Sequence, residues 1–325
     1  MRIRYCIKLL LFWGALPVTA QAPRQLLERL APSPATRLVT IQYTNPFDQS
    51  PSEALVELPK NLRRPVPLIV TPHAANWTQE ANRCLWTGVA DQFGVIIVYP
   101  RHQGKVNPRI SFGSAKQLAN LEAAVAEVER RYPVDKSRVY VAGLSQGAVE
   151  TLLLAGHYPK QFAGALAINP VADVIAFYED LSPAAVEQTP DAGLRKLRAV
   201  QWPALRRMCE AEFGGPPDGA RADYYLRSAV LFADNLAKVP LILYWAEDDE
   251  LIPNGATHQG GMLAKLIRAF QPAALHEVKH TGGHGYPFYG VDLVKMSVKF
   301  FPREIFLGSV KEMLAARPTP QKHER

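Results

Sequence analysis

Cysteine is nearly absent from this chain. Only Cys6, Cys84 and Cys209 occur in 325 residues, and no Cys/His spacing matches a zinc site. A disulfide-dense scaffold is excluded on the same count. No dense Lys/Arg run with interleaved aromatics is present, and the formal net charge is a mild +7. That balance argues against a nucleic-acid partner. Internal repeats and low-complexity runs are missing. Long apolar stretches are missing too, except near the start. There a basic segment (Met1 to Lys8) leads into Leu9 to Leu16 and then Pro17-Val-Thr-Ala20. This order is that of a signal peptide, with cleavage expected after Ala20. The apolar run is shorter than the roughly 20 residues a spanning helix needs, so no stable membrane anchor is expected. Cys6 precedes that run, which speaks against a lipid anchor at the cleavage site. The reading is of an exported protein, periplasmic or secreted.

Without residues 1–20 about 305 residues remain, which suits one large domain. Loss of Arg2, Arg4 and Lys8 lowers the net charge to about +4. In an exported chain, Cys84 and Cys209 read either as one disulfide or as two buried, inert thiols. Residues 21–36 form a proline-bearing leader with one short helical stretch at 25–30. Strands are expected at 37–43 and 53–59, joined by a turn and antiparallel. Continuous apolar runs at 66–71, 95–99, 138–142, 163–168, 239–245 and 274–278 read as central strands buried on both faces. Helical patterns lie between them. The clearest is 114–131, with Leu118, Leu121, Val125 and Val128 at three- and four-residue spacing and Pro133 to end it. Others fall at 148–157, 261–269 and 291–301. The alternation predicts an α/β fold, a mostly parallel sheet with helices on both faces. Residues 37–306 form this domain, and 307–325 a solvated tail. Residues 171–238 interrupt the rhythm as a helical insertion, with helices near 184–187 and 194–212.

The most telling motif is Gly143-Leu144-Ser145-Gln146-Gly147, placed between a strand and a helix. A sharp turn there holds a serine hydroxyl clear of the sheet. A serine at its ordinary pKa is a poor nucleophile. It needs an imidazole to take its proton and a carboxylate to hold that imidazole in the right tautomer. Both follow in order: an acidic loop at Glu247-Asp248-Asp249-Glu250 after a buried strand, then His284 in Thr281-Gly-Gly-His-Gly285. Ser145, Asp249 and His284 are the expected catalytic residues. Counting back from Ile252-Pro253 selects Asp249 over its neighbour Asp248. The oxyanion donors are expected to be the backbone N–H of Gln146 and that of Ala75, with Ala74 as the alternative. They lie in His73-Ala74-Ala75-Asn76, where glycine would reach backbone angles that alanine resists. His73 reads as a loop-ordering residue. His276 and His280 read as structural or surface residues.

Several segments carry a resemblance. Glu212-Phe-Gly-Gly-Pro-Pro217, Tyr224-Tyr-Leu-Arg-Ser-Ala229, Ala237-Lys-Val-Pro240 and the Asp249 loop resemble the catalytic domain of the prolyl oligopeptidase family. Val98-Tyr-Pro100 and Arg138-Val-Tyr-Val-Ala-Gly-Leu-Ser145 resemble secreted polyhydroxybutyrate depolymerases and feruloyl esterase-like hydrolases. Together these likenesses span roughly residues 66–301 and imply the α/β-hydrolase fold. In that fold an insertion at 171–238 would lie over the serine like a lid. Asn76, Trp202 and Tyr225 are then candidate substrate contacts, with Phe177, Tyr178 and Tyr224 as further wall residues. Two departures stand out. There is no room for the β-propeller of prolyl oligopeptidases, and Gln146-Gly147-Ala148 replaces their usual aromatic-Gly-Gly.

The resulting expectation is an exported serine hydrolase acting on a small-molecule ester or short peptide through an acyl-enzyme. No metal and no organic cofactor are implied. Ester cleavage is favoured, because amide cleavage needs good protonation of an amine leaving group. A stand-alone peptidase of the prolyl oligopeptidase type is the alternative. A non-catalytic binding protein on the same fold is a third reading, which an intact triad opposes.

Overall fold

The computed structural model describes residues 37–284, apart from Thr87 and Gly282. The expected signal peptide, leader, helix at 291–301 and tail all lie outside the described residues.

Eight strands form one sheet among the described residues, in the order β1-β2-β4-β3-β5-β6-β7-β8. They are β1 (Arg37–Thr44), β2 (Pro51–Leu58), β3 (Val66–Val70), β4 (Ile96–Pro100), β5 (Val134–Leu144), β6 (Gly164–Ile168), β7 (Leu241–Ala246) and β8 (Leu275–His280). β1 and β2 pair antiparallel, and β2 joins β4 antiparallel. From β4 to β8 every pairing is parallel. The apolar runs of the central strands follow from burial on both faces. Val139 and Val141 of β5 belong to one core with Val70 and Val98. Tyr140 and Ala142, on the opposite face, pack with Ile69, Ile97 and Phe93.

One strand begins earlier than its apolar run. β5 starts at Val134, because Val66 pairs with Val134 and its N–H donates to Pro133 O at 3.0 Å. The polar residues Asp135, Lys136 and Ser137 ride along on the exposed end of that pairing. Backbone pairing there extends beyond the hydrophobic signal.

The short helices α1 (Gln79–Arg83) and α2 (Val89–Phe93) lie between β3 and β4. Helix α3 (Ala115–Arg131) has Ser114 as N-cap, its hydroxyl accepting from Gln117 N–H at 3.2 Å. Its apolar stripe, Leu118, Leu121, Val125 and Val128, is buried. Helix α4 (Gln146–His157) follows β5 directly and is buried almost throughout. The insertion folds as α5 (Val174–Asp180), α6 (Pro183–Glu187), α7 (Ala192–Phe213), α8 (Pro217–Leu226) and α9 (Ala233–Leu236). Helix α10 (Gly260–Phe270) returns the chain to β8. Cys209 lies fully buried in α7 as a free thiol. Burial pushes that thiol's pKa upward, so of the two readings the inert thiol is the one that holds for Cys209. No described helix is long and apolar enough to cross a membrane.

Candidate active site

Ser145 joins β5 to α4 with φ 55° and ψ −123°. Residues other than glycine rarely adopt such angles, and each instance costs on the order of 1–3 kcal/mol. Packing on both sides imposes the turn. A Cβ on Gly143 would meet Gly147 O at 2.3 Å, and one on Gly147 would meet Pro72 O at 2.3 Å. The two glycines therefore let the helix start against the strand and against the loop after β3. Ser145 N–H donates to Ile168 O at 2.9 Å, which fixes the turn to the exit of β6. The N-terminus of α4 begins here, where its orphan N–H groups favour negative charge.

The acid and the histidine come together from adjacent loops. Asp249 Oδ1 accepts from Leu251 N–H at 2.9 Å and Ile252 N–H at 2.8 Å. Its other oxygen, Oδ2, accepts from His284 Nδ1 at 2.8 Å. A carboxylate can only accept here, so Nδ1 carries the proton and Nε2 keeps its lone pair. Asp248 has a different task, its Oδ1 accepting from Gly283 N–H at 2.9 Å. Burial pulls the His284 pKa down, and the Asp249 and Glu250 carboxylates outweigh it, so the imidazole sits above its ordinary value.

The loop after β3 runs beside this turn. Ala74 and Ala75 are both buried. The left-handed angle in this loop falls on Asn76 (φ 61°), not on either alanine. The backbone here thus makes no demand for glycine at Ala74 or Ala75. His73 is buried, its Nδ1 donating to Ala74 O at 3.0 Å. Burial and the neighbouring His102 push its pKa well below the ordinary value, so it is neutral.

The insertion meets the site at several points. Asn76 Oδ1 accepts from Asn107 Nδ2 at 3.2 Å, and Asn76 Nδ2 lies 3.9 Å from Met208 Sδ of α7. Trp202 is almost fully buried, and its Nε1 donates to Glu250 O at 3.0 Å, tying α7 to the acid loop. Tyr225, by contrast, is half exposed on α8. Tyr224 stacks on Phe213 inside the insertion, 4.0 Å between ring centroids. Phe177 and Tyr178 are buried in the same core.

Four residues near the site escaped sequence reasoning. Asn169, just past β6, donates its Nδ2 to His284 O at 2.9 Å. Its Oδ1 pairs with His280 Nε2 at 3.1 Å, which gives His280 a partner that its spacing had not suggested. Glu250 accepts from His284 N–H at 2.9 Å. Glu150 and His102 lie buried behind the Ser145 turn, with His102 Nε2 3.0 Å from Glu150 Oε2. Only Asn169 had a usable signal, a polar residue at a strand exit. No group of histidines, cysteines and carboxylates able to hold a metal occurs among the described residues.

A mostly parallel sheet, a nucleophile-type turn after β5 and an acid–histidine pair after β7 and β8 define an α/β-hydrolase fold. Residues 114–202 match the prolyl oligopeptidase family. Acetylxylan esterase A of Emericella nidulans is 27% identical over 51% of this chain and 55% of its own. Poly(3-hydroxyalkanoate) depolymerase C of Paucimonas lemoignei is 27% identical over 58% of this chain and 47% of its own. The chain thus spans about half the length of the curated relatives it matches. Among solved structures, the metagenomic carboxylesterase EstE1 superposes with a TM-score of 0.60 at 18% identity, covering 92% of this chain and 96% of that one. At that identity the likeness is one of fold. The likeness to the prolyl oligopeptidase family recurs in these matches, over 114–202 rather than over the segments at 212–249, and so does the likeness to depolymerases and feruloyl esterases.

Proposed function

We propose that this chain is an exported serine hydrolase that cleaves a carboxylic ester through an acyl-enzyme. The observation that carries the reading is the 2.8 Å pairing of His284 Nδ1 with an Asp249 carboxylate whose other oxygen is already occupied. That pairing puts the ring proton on Nδ1 and makes Nε2 the nitrogen able to accept one. Ser145 and His284 are anchored to consecutive residues of one strand exit, through Ile168 O and the Asn169 side chain. In the proposed reaction His284 Nε2 takes the Ser145 hydroxyl proton as Oγ attacks the acyl carbonyl carbon. The carbonyl electron pair moves onto oxygen, which the N–H groups of Gln146 and Ala75 receive. Collapse expels the alcohol, which takes the proton back from His284. Water then repeats the attack on the acyl-serine with His284 as base, releasing the acid. Each oxyanion donor is worth roughly 10²–10³ in rate.

Relatives that are esterases and a polyester depolymerase support the ester reading. The prolyl oligopeptidase match over 114–202 keeps peptide cleavage as the second reading. Turnover of short-chain aryl esters beside aminoacyl and prolyl anilides, with Ser145→Ala as control, separates them. Ester cleavage alone supports the first reading, and serine-dependent anilide cleavage supports the second. Activity that survives Ser145→Ala would overturn both.

A further inference from the structure

Behind the nucleophile turn lies a buried polar cluster that the acyl-transfer chemistry leaves unexplained. Glu150 is on α4, one turn after Gln146, and is fully buried. Its Oε2 accepts from Gln117 Nε2 at 3.0 Å, and its Oε1 accepts a very short bond from the Ser111 hydroxyl. A buried carboxylate with no partners would be costly, so the fold has provided several. His102, also fully buried, brings Nε2 to 3.0 Å from Oε2, close but poorly aligned for a linear hydrogen bond.

The polarity of this cluster can be deduced. The Gln146 side chain accepts from Ser111 N–H through Oε1 at 3.2 Å and donates to Arg109 O through Nε2 at 3.3 Å. Those two backbone groups have fixed polarity, so the amide orientation is fixed as well. The same Nε2 lies 2.9 Å from His102 Nδ1. An amide nitrogen only donates, so His102 Nδ1 must accept, and the ring proton sits on Nε2, facing Glu150. The His102 ring also stacks on His73, 3.4 Å between centroids, and His73 holds the carbonyl of Ala74. One histidine therefore touches both the residue after the nucleophile and the loop that carries Ala75.

We propose that Glu150 and His102 are positioning residues for the oxyanion site, acting through the Gln146 side chain on one side and the His73 ring on the other. This rests on the reading of Gln146 and Ala75 as oxyanion donors. The Glu150 carboxylate, 3.0 Å from His102 Nε2, favours the ring form that carries its proton on that nitrogen. His102 then clamps the Gln146 side chain, and with it the start of α4, against the loop after β3. Neither group touches substrate. A shift of about 1 Å in such a framework can cost roughly a hundredfold in rate.

The test uses the full chain. Two readouts are taken: the second-order rate of Ser145 labelling by a fluorophosphonate, and kcat and KM for 4-nitrophenyl acetate per labelled serine. His102→Phe keeps the stack on His73 and removes the Nδ1 acceptor. Its labelling rate and kcat are expected to fall about ten- to hundredfold, with KM changed less than about twofold. Gln146→Ala is expected to show a loss of similar size. The double variant should lose no more than the worse single one, because both act through one link. Losses that multiply, or an unchanged rate, overturn the proposal. If His102→Phe does not fold, Glu150→Gln carries the same comparison. Long-range ¹H–¹⁵N spectra of the wild type should find a bare Nδ1 on His102, and an Nδ1-protonated ring would also overturn it. Wild-type chain that fails to label at Ser145 would remove the serine hydrolase reading and this proposal with it. Normal labelling with unaffected variants would remove only the proposal.

Discussion

Asn169 donates its side-chain amide to the His284 carbonyl at 2.9 Å, across 115 residues of chain. It does so from a left-handed backbone position, φ 45°, which asparagine tolerates better than most residues. The same residue follows Ile168, whose carbonyl holds the Ser145 N–H. One strand exit thus fixes both the Ser145 turn and the His284 loop.

Asn169→Gly keeps the backbone angle accessible and removes both side-chain bonds. We expect stability to fall by about 1–2 kcal/mol, the usual cost of a lost buried hydrogen bond with its partner left behind. Ester kcat is expected to fall about tenfold as the histidine loop loosens. Thermal unfolding and steady-state kinetics check the two parts separately.

The raised His284 pKa sets a pH dependence. As the proposed base, His284 must be neutral to act, so activity is expected to rise with pH through its pKa. The acid limb of kcat/KM is expected at a midpoint above the ordinary imidazole value of 6.5. Asp249→Asn removes a carboxylate that raises that pKa, so the limb should move to lower pH. The ceiling should also drop by about 10⁴, as in other triads that lose their acid. Asp248→Asn keeps an oxygen that can accept from Gly283 N–H, and the carboxylates that raise His284 are those of Asp249 and Glu250, so the limb should stay where it was. A pH–rate series on the three proteins decides the point.

Gly147→Ala should be severe for its size. The added methyl carbon would lie 2.3 Å from Pro72 O and 3.1 Å from His73 O, both backbone atoms that cannot swing aside. The helix start or the loop after β3 must move. We expect a loss of about 1–3 kcal/mol in stability and a drop in kcat larger than that of Asn169→Gly. Denaturant unfolding beside kinetics tests it.

Trp202 offers a graded pair. Trp202→Phe loses the bond to Glu250 O and retains most of the packing, for about 1 kcal/mol. Trp202→Ala empties a fully buried site and should cost about 3–5 kcal/mol. Comparable losses for the two variants would mean that the hydrogen bond outweighs the packing.

The nucleophile turn was legible because its chemistry is local: two glycines, a serine, an apolar strand before and a helix after. The central strands were legible for the same reason, since burial on both faces leaves continuous apolar runs. Helix α3 announced itself through Ser114 and the Leu118–Leu121–Val125–Val128 spacing. The rest depended on contacts between distant residues. Nothing in the sequence near Glu150 says that His102 will lie against it, or that Glu250 will take the His284 N–H. Helices α1, α2 and α5 are too short to display a period, and α5 is marked mainly by Asp173, whose carboxylate caps Ile175 and Ala176. Tyr225 and Trp202 look alike in sequence as aromatic candidates. Packing alone separates them, Tyr225 exposed on α8 and Trp202 buried on the inner side of α7.

The insertion leaves the sheet after β6 and returns at β7, and these two strands are neighbours, with Ile168 opposite Tyr244. The two strands run parallel, so the stretch leaves at Ile168, level with Tyr244, and returns at Leu241, level with Ala165, and the sheet fixes that crossover span whatever lies between its ends. The entropy of closing a loop grows only slowly with its length, so helices could be added to this stretch or removed from it with little strain on the sheet. Gln259, which accepts from the N–H groups of Ala172 and Asp173, pins its first residues from outside. A chain built this way can vary the stretch between β6 and β7 while the turn at Ser145 and the Asp249–His284 pair keep their places.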